Sequence, residues 1–168
     1  KRIMTFDSVY SWLATRPTKL QVLGLVSAVF FFDTVLSWAV ALGFFFLGLL
    51  PDTGYDPFAA SVPVVITGII VGAFWEEVLF RILPLTFALR RWGLGRSTFV
   101  IVLVSSAIFG VVHGGILHLA AQGIGGILDS ILFIKLSRLG KRPFFAGLIL
   151  LTMHFVFNMF VFAVAASV

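Results

Sequence analysis

Five long apolar segments dominate this chain and restrict the folds that it can adopt. An α-helix needs about 20 mostly apolar residues to cross the hydrocarbon core of a bilayer. Segments of about that length or longer occur at residues 21–50, 61–89, 97–117, 119–136 and 143–166. Only 11% of the 168 residues are charged, whereas a typical soluble domain has about 25%. We therefore predict an all-α, polytopic membrane bundle with about five transmembrane helices.

The basic residues predict how these segments are oriented. Ten of the twelve Lys and Arg residues precede the first segment, lie between the second and third, or lie between the fourth and fifth, and an eleventh, Lys135, lies at the end of the fourth. With five spans, all three groups fall on one side, which the positive-inside rule makes cytoplasmic. The opposite loop carries Asp52 and Asp56 and no basic residue. We predict a multi-pass cell-membrane protein with a cytoplasmic N-terminus and a C-terminus on the opposite side.

The distribution of the basic residues also indicates which partners the chain has. The net charge of +5 is accounted for by topology, so we predict the lipid bilayer as a partner and no nucleic acid. The residues ahead of the first span predict a short interfacial amphipathic helix, and its apolar members are Phe6, Val9, Tyr10, Trp12 and Leu13. The chain contains no cysteine, which excludes disulfides and thiolate metal ligands.

Polar residues inside the predicted spans mark a candidate site, because ionisable groups at membrane depth are costly and usually face a bundle interior or a wet cavity. The second, third and fifth spans contain Glu76, Glu77, Arg81, His113, His154 and Asn158. Counting helical residues from each cytoplasmic end places Glu76 roughly 20 Å deep and His113 roughly 24 Å deep. The same count gives roughly 17 Å for His154 and 22 Å for Asn158. Three helices therefore place their polar groups in one layer near the membrane midplane.

Helical spacing assigns directions to these side chains. Glu77 and Arg81 are four residues apart and share a face, as do His154 and Asn158. Glu76 is offset by about 100° from Glu77, so one carboxylate can face a reaction centre while the other pairs with Arg81. Small residues near the layer let helices approach closely and keep lipid out. These are Gly110, Gly114, Gly115, Gly123, Gly125 and Gly126.

Three motifs in this layer give the chain a family resemblance. They read Glu-Glu-x-x-x-Arg at 76–81, Phe-x-x-x-His at 109–113 and His-x-x-x-Asn at 154–158. In this order on successive helices, they resemble the CPBP (CAAX protease and bacteriocin-processing) intramembrane peptidases, which include the Ras-converting CAAX endopeptidases. The resemblance implies a catalytic core of four spans over residues 61–168. Residues 1–60, with the amphipathic segment and the first span, form a separate N-terminal part.

The resemblance also implies a reaction, in which a glutamate-activated water hydrolyses a peptide bond in a membrane-associated or lipidated peptide or protein. Glu76 and His113 would hold and deprotonate the water, and His154 and Asn158 would donate hydrogen bonds to the oxyanion. Glu77 and Arg81 would support them as an ion pair. In the family the position of Glu76 is generally held to act without a metal, so we expect no cofactor. Zinc is the alternative, since two His and a Glu are acceptable ligands.

Other interpretations stay open at this stage. The chain can be a non-catalytic immunity or scaffold protein of the same family, a small proton-coupled transporter, or a bundle in which the polar layer only joins helices. Asp33 and Asp129 are predicted as helix-contact residues outside the site, and His118 as an interfacial residue. Trp75 is predicted to wall the cavity. The sequence does not identify the substrate or the oligomeric state.

Overall fold

The computed structural model describes residues 6–46, 61–113, 116–138 and 143–165. Six helices form these parts of the chain, and no strand occurs among them. They are α1 (Phe6–Ala14), α2 (Lys19–Phe46), α3 (Val62–Trp92), α4 (Arg96–Val112), α5 (Gln122–Ser137) and α6 (Pro143–Ala165). A 3₁₀ turn, Ile116–Leu119, lies between α4 and α5. The prediction of an all-α membrane bundle is confirmed.

The predicted spans differ in length from the observed helices. Three stretches are long and apolar enough to cross a membrane, namely Lys19–Val40, Val62–Trp92 and Pro143–Val164. Helix α4 is apolar but has 17 residues, and α5 has 16, which correspond to about 24–26 Å. Helix α5 packs against α1, α2, α4 and α6. This shorter helix is therefore the centre of the bundle, and its neighbours shield it from lipid.

Helix α3 contains one π turn, Val78–Ile82, between two α-helical parts. The N–H group of Leu83 donates to the carbonyl of Val78, five residues back. Pro84 explains the wider turn, because proline has no N–H and its ring clashes with the carbonyl four residues earlier. Helix α3 ends at Gly93, whose φ of 66° is easily adopted only by glycine.

Two glycines bring α4 and α5 into close contact. A Cβ atom on Gly110 would lie 2.9 Å from the backbone nitrogen of Gly123 and 2.9 Å from the Cα of Leu119. Only a residue without a side chain fits at such a distance from backbone atoms. The predicted role of small residues is therefore seen here, while Gly114 and Gly115 lie outside the described residues.

Helix α1 is tied to the core by a buried lysine. The predicted amphipathic helix is present, and its Leu13 is fully buried. The ammonium of Lys135 on α5 donates to the carbonyls of Trp12 and Thr15 and to the Thr15 hydroxyl. It also lies 4.4 Å from the centroid of the Trp12 ring. The side chain of Lys135 is only 2% exposed, so this basic residue near the end of the fourth predicted span is buried in the protein.

Some predictions fall on parts of the chain outside the described residues. These are the end of the first predicted span at residues 47–50, the loop with Asp52 and Asp56, and the basic residues Lys1, Arg2, Lys141 and Arg142.

Candidate active site

The polar layer predicted from the sequence surrounds a cavity inside the bundle. Its volume is about 240 Å³. We call it the polar cavity, and its polar lining consists of Asp33, Glu76, Arg81, His113, Gln122, Asp129, His154 and Asn158. Five of the six predicted site residues are in this lining. The sixth, Glu77, is 1% exposed and lies behind it.

Glu76 contacts both histidines. It lies one residue before the end of the first α-helical part of α3, while His113 follows the last residue of α4 and His154 lies on α6. Its Oε2 atom is 3.4 Å from Nε2 of His113 and 3.3 Å from Nε2 of His154. Three helices therefore converge on one carboxylate oxygen.

The hydrogen bonds of the two imidazoles fix which nitrogen faces Glu76. Nδ1 of His113 lies 2.7 Å from the carbonyl oxygen of Phe109, and a carbonyl only accepts, so Nδ1 carries the hydrogen. Nδ1 of His154 lies 2.8 Å from Oε1 of Glu77. In a neutral imidazole the other nitrogen then carries a lone pair. Both lone pairs point toward the Glu76 carboxylate, so the contact requires a shared proton or a water molecule.

A buried ion-pair cluster holds the ring of His154 in its position beside Glu76. Nη1 of Arg81 donates to Oε1 of Glu77 at 2.5 Å, and Nη2 lies 3.3 Å from Oδ2 of Asp129. Arg81 and Glu77 are almost completely buried. Since Glu77 also accepts from His154, the cluster connects α3, α5 and α6. The predicted Glu77–Arg81 pair is present, but the contribution of α5 was not predicted.

Phe109 occupies the centre of the site. Its ring centroid lies 4.2 Å from that of His113 and 4.3 Å from Cζ of Arg81. It also makes an edge contact with His154, at 6.4 Å between centroids. A cation over an aromatic face is stabilising, especially when it is desolvated. Phe109 therefore packs under His113 and also separates the Arg81 charge from that histidine.

Asn158 lies where the polar cavity meets a second one. Its amide makes no hydrogen bond to any other residue in the described part of the chain. The second cavity, of about 360 Å³, follows the surface of α3 and is lined by Val64, Val65, Gly68, Ile69, Gly72, Ala73, Glu76 and Asn158. We call it the α3 groove. Glu76 and Asn158 line both cavities, so they lie at the junction.

Two aspartates outside the predicted site also line the polar cavity. Asp129 on α5 contacts Arg81, and Asp33 on α2 lies against Gly125 of α5. A Cβ atom on Gly125 would overlap Oδ1 of Asp33, which shows how closely these helices approach. The prediction that both aspartates are only helix-contact residues was incomplete. Their position depends on which faces of α2 and α5 turn inward, and this is decided by packing.

Trp75 was wrongly predicted to wall the polar cavity. Its side chain is 53% exposed and lines an apolar surface groove between α3 and α6, together with Ile70, Val71, Phe74, Leu151, Thr152 and Phe155. Trp75 precedes Glu76, and adjacent residues on a helix point about 100° apart. His118 lies in the 3₁₀ turn and does not line the polar cavity.

The side chains of Glu76, His113 and His154 are also of the types that bind zinc. Among the described residues, no group of three or more His, Asp or Glu side chains is arranged to hold a metal ion. The two distances from Glu76 to the histidines are nevertheless close to the separation of about 3.3 Å between neighbouring ligands on a tetrahedral zinc ion. Zinc therefore stays the alternative to a metal-free site.

Comparison with known proteins identifies the family. No curated protein and no solved structure matches the chain. The sequence model of the family described as "type II CAAX prenyl endopeptidase Rce1-like" matches residues 58–167, about two-thirds of the chain. The matched range contains α3 to α6 and every predicted site residue. The chain is therefore a membrane protein that belongs to the Rce1-like family of type II CAAX prenyl endopeptidases.

Proposed function

We propose that this protein is an intramembrane endopeptidase that cleaves a prenylated or otherwise lipidated, membrane-associated peptide or protein. The observation that carries the proposal is the contact of one Glu76 oxygen with two imidazole nitrogens at the edge of a polar cavity inside the bundle. The family match supplies the class of reaction. We assign the catalytic core to residues 61–168, and Asp33 of the N-terminal part closes one side of the cavity.

Glu76 and His113 activate the water in this proposal. The Phe109 carbonyl holds the Nδ1 hydrogen of His113, so the Nε2 lone pair is available to accept a hydrogen bond from water. A water bound between Nε2 and the Glu76 carboxylate can lose its proton to either group as it attacks the substrate carbonyl. The same group then returns the proton to the amine nitrogen as the peptide C–N bond breaks. General base catalysis of this kind typically contributes 10²–10⁴-fold in rate.

His154 and Asn158 stabilise the oxyanion. The contact between Nδ1 of His154 and Glu77 places a carboxylate beside the ring. The imidazolium form can then donate from Nε2 to the developing negative charge. The Asn158 amide, which has no hydrogen-bond partner among the described residues, supplies a second donor at the junction of the two cavities.

The α3 groove is the route that we propose for the substrate. It is floored by Gly68 and Gly72 and leads to Glu76 and Asn158. An extended peptide can lie against glycines, since no side chain blocks its backbone. The lipid part of the substrate can remain in the bilayer or in the apolar groove beside Trp75.

A cleavage assay tests this proposal. Wild type, Glu76→Gln and the control Asp7→Asn would be purified in detergent. Asp7 is an exposed carboxylate on α1 and does not line the polar cavity. Each protein would be incubated with a prenylated CAAX peptide and with the same peptide lacking the prenyl group, and products would be identified by mass spectrometry. We expect Glu76→Gln to lose about 10²–10⁴-fold in rate and Asp7→Asn to match wild type.

The same assay separates the alternatives. Equal cleavage by wild type and Glu76→Gln would refute the role of Glu76. A wild type that cleaves neither peptide would favour the non-catalytic immunity or scaffold function. We propose a mechanism without a metal, in which a chelator leaves the rate unchanged. Loss of activity with chelator and recovery with zinc would instead assign Glu76, His113 and His154 as ligands.

A further inference from the structure

A basic pocket lies at the end of the bundle where α3 and α5 end. It is a cavity of about 830 Å³ between the C-terminal ends of α1, α3 and α5 and the first residue of α6. Its charged lining consists of Arg16, Arg90 and Arg138. Leu89, Leu94 and Pro143 supply an apolar wall. In the orientation predicted from the sequence, this end faces the cytoplasm.

Among the described residues, no acidic side chain balances the positive charge of the basic pocket. No Asp or Glu lines it, and none of its three arginines makes a salt bridge with a residue in the described ranges. The C-terminal ends of α1, α3 and α5 contribute only about half a negative charge each, which is less than three full positive charges. The described residues therefore leave this pocket with a net positive charge that attracts anions.

The seven acidic residues of the chain lie in three places. Of the seven acidic residues, four line or support the polar cavity, two lie in the predicted opposite loop outside the described residues, and one is on α1. They are, in that order, Asp33, Glu76, Glu77 and Asp129; Asp52 and Asp56; and Asp7. None of the described carboxylates lines the basic pocket.

The chemistry of the lining indicates the ligand. Guanidinium groups bind phosphate through paired N–H donors. Basic pockets between transmembrane helices on the cytoplasmic side are suited to anionic lipid headgroups, and the apolar wall can accept the start of an acyl chain. We propose that the basic pocket binds the phosphate of an anionic phospholipid headgroup.

Lys135 is a positioning residue for this pocket. Its ammonium holds the carbonyls of Trp12 and Thr15, at the end of α1. The next residue is Arg16, which extends the positive lining. In the part of the chain that the structure describes, the lysine is bound by carbonyl and hydroxyl oxygens and a ring face and by no carboxylate, so it adds a further positive charge at this end of the molecule.

Lipid binding measured by native mass spectrometry tests the proposal. The full chain in detergent would be titrated with short-chain phosphatidylglycerol, with phosphatidylcholine and with inorganic phosphate. The test variant is Arg16→Gln/Arg90→Gln, which changes two exposed side chains of the pocket. The matched control is Arg91→Gln/Arg96→Gln, which removes two exposed charges at the same end but none from the pocket. Circular dichroism would verify that both variants remain folded.

We expect wild type to prefer phosphatidylglycerol, and the test variant to bind it about tenfold more weakly or worse, because charge-assisted hydrogen bonds are lost. The control should change by less than about twofold, since its arginines lie outside the pocket. Equal weakening of phosphatidylglycerol binding in both variants would overturn the proposal, because it would show that diffuse surface charge attracts the lipid. Inorganic phosphate that displaces the lipid at equal concentration would overturn the lipid assignment. Neither result depends on peptidase activity.

Discussion

Replacement of Arg81 by methionine is expected to destabilise the bundle strongly. Arg81 is 2% exposed and contacts Glu77 at 2.5 Å, Asp129 at 3.3 Å and the Phe109 ring at 4.3 Å. Methionine keeps much of the side-chain length but leaves two carboxylates without their cation. Removing one partner of a buried ion pair costs about 3–5 kcal/mol. In a protein of this size that corresponds to a fall in Tm of roughly 6–20 °C.

Thermal unfolding in detergent measures this effect. The four tryptophans provide a fluorescence signal, whereas thiol-reactive dyes cannot be used because the chain has no cysteine. The control Arg91→Met removes an exposed arginine from the same helix and should lower Tm by less than about 2 °C. The double variant Glu77→Gln/Arg81→Met should be more stable than Arg81→Met alone, because one uncompensated carboxylate is gone. An Arg81→Met protein that melts within about 2 °C of wild type would refute this reasoning.

Three further substitutions test other contacts. Gly110→Ala should lower Tm, because the added Cβ atom would lie 2.9 Å from the backbone nitrogen of Gly123. In the control Gly24→Ala the added Cβ atom has no other atom within 4 Å, and Tm should stay unchanged. Lys135→Met should accelerate deuterium exchange in α1, because its hydrogen bonds to that segment are lost; unchanged exchange would contradict the anchoring role. Gly68→Ile fills open space in the α3 groove and should raise KM without lowering Tm. An unchanged KM would exclude this route for the substrate.

The parts of the structure that follow from helix geometry could be predicted from sequence. Apolar segment length predicted the helices, since a bilayer sets the length that a span needs. The convergence of Glu76, His113 and His154 could be predicted because depth in a regular helix is proportional to residue number. Trp75 could have been placed correctly by the same geometry, since it points about 100° away from Glu76.

The contacts that could not be predicted from the sequence depend on how the helices pack against each other. The spacing of residues along one helix does not specify this packing. Asp33 enters the polar cavity only because α5 presents Gly125 to it. Asp129 contacts Arg81 because α5 lies in the centre of the bundle. Lys135 is buried because α1 folds back over it, while the positive-inside rule considers only the position of a lysine relative to the spans. A short central helix and a buried lysine leave no distinctive pattern in the sequence.

The π turn in α3 makes the chain sensitive to the number of its residues as well as to their identity. A π turn is equivalent to an α-helix with one inserted residue. Because the turn already absorbs one extra residue, deleting one residue within Val78–Ile82 would restore a regular helix and leave the two flanking parts close to their present faces. Inserting a further residue there would rotate the following part by about 100° relative to the preceding part. Leu85 and Ala88, which are now buried, would turn away from their contacts while Glu76 kept its position. Substitutions at the exposed Leu79 should be tolerated in a position where an insertion would separate the site from its support.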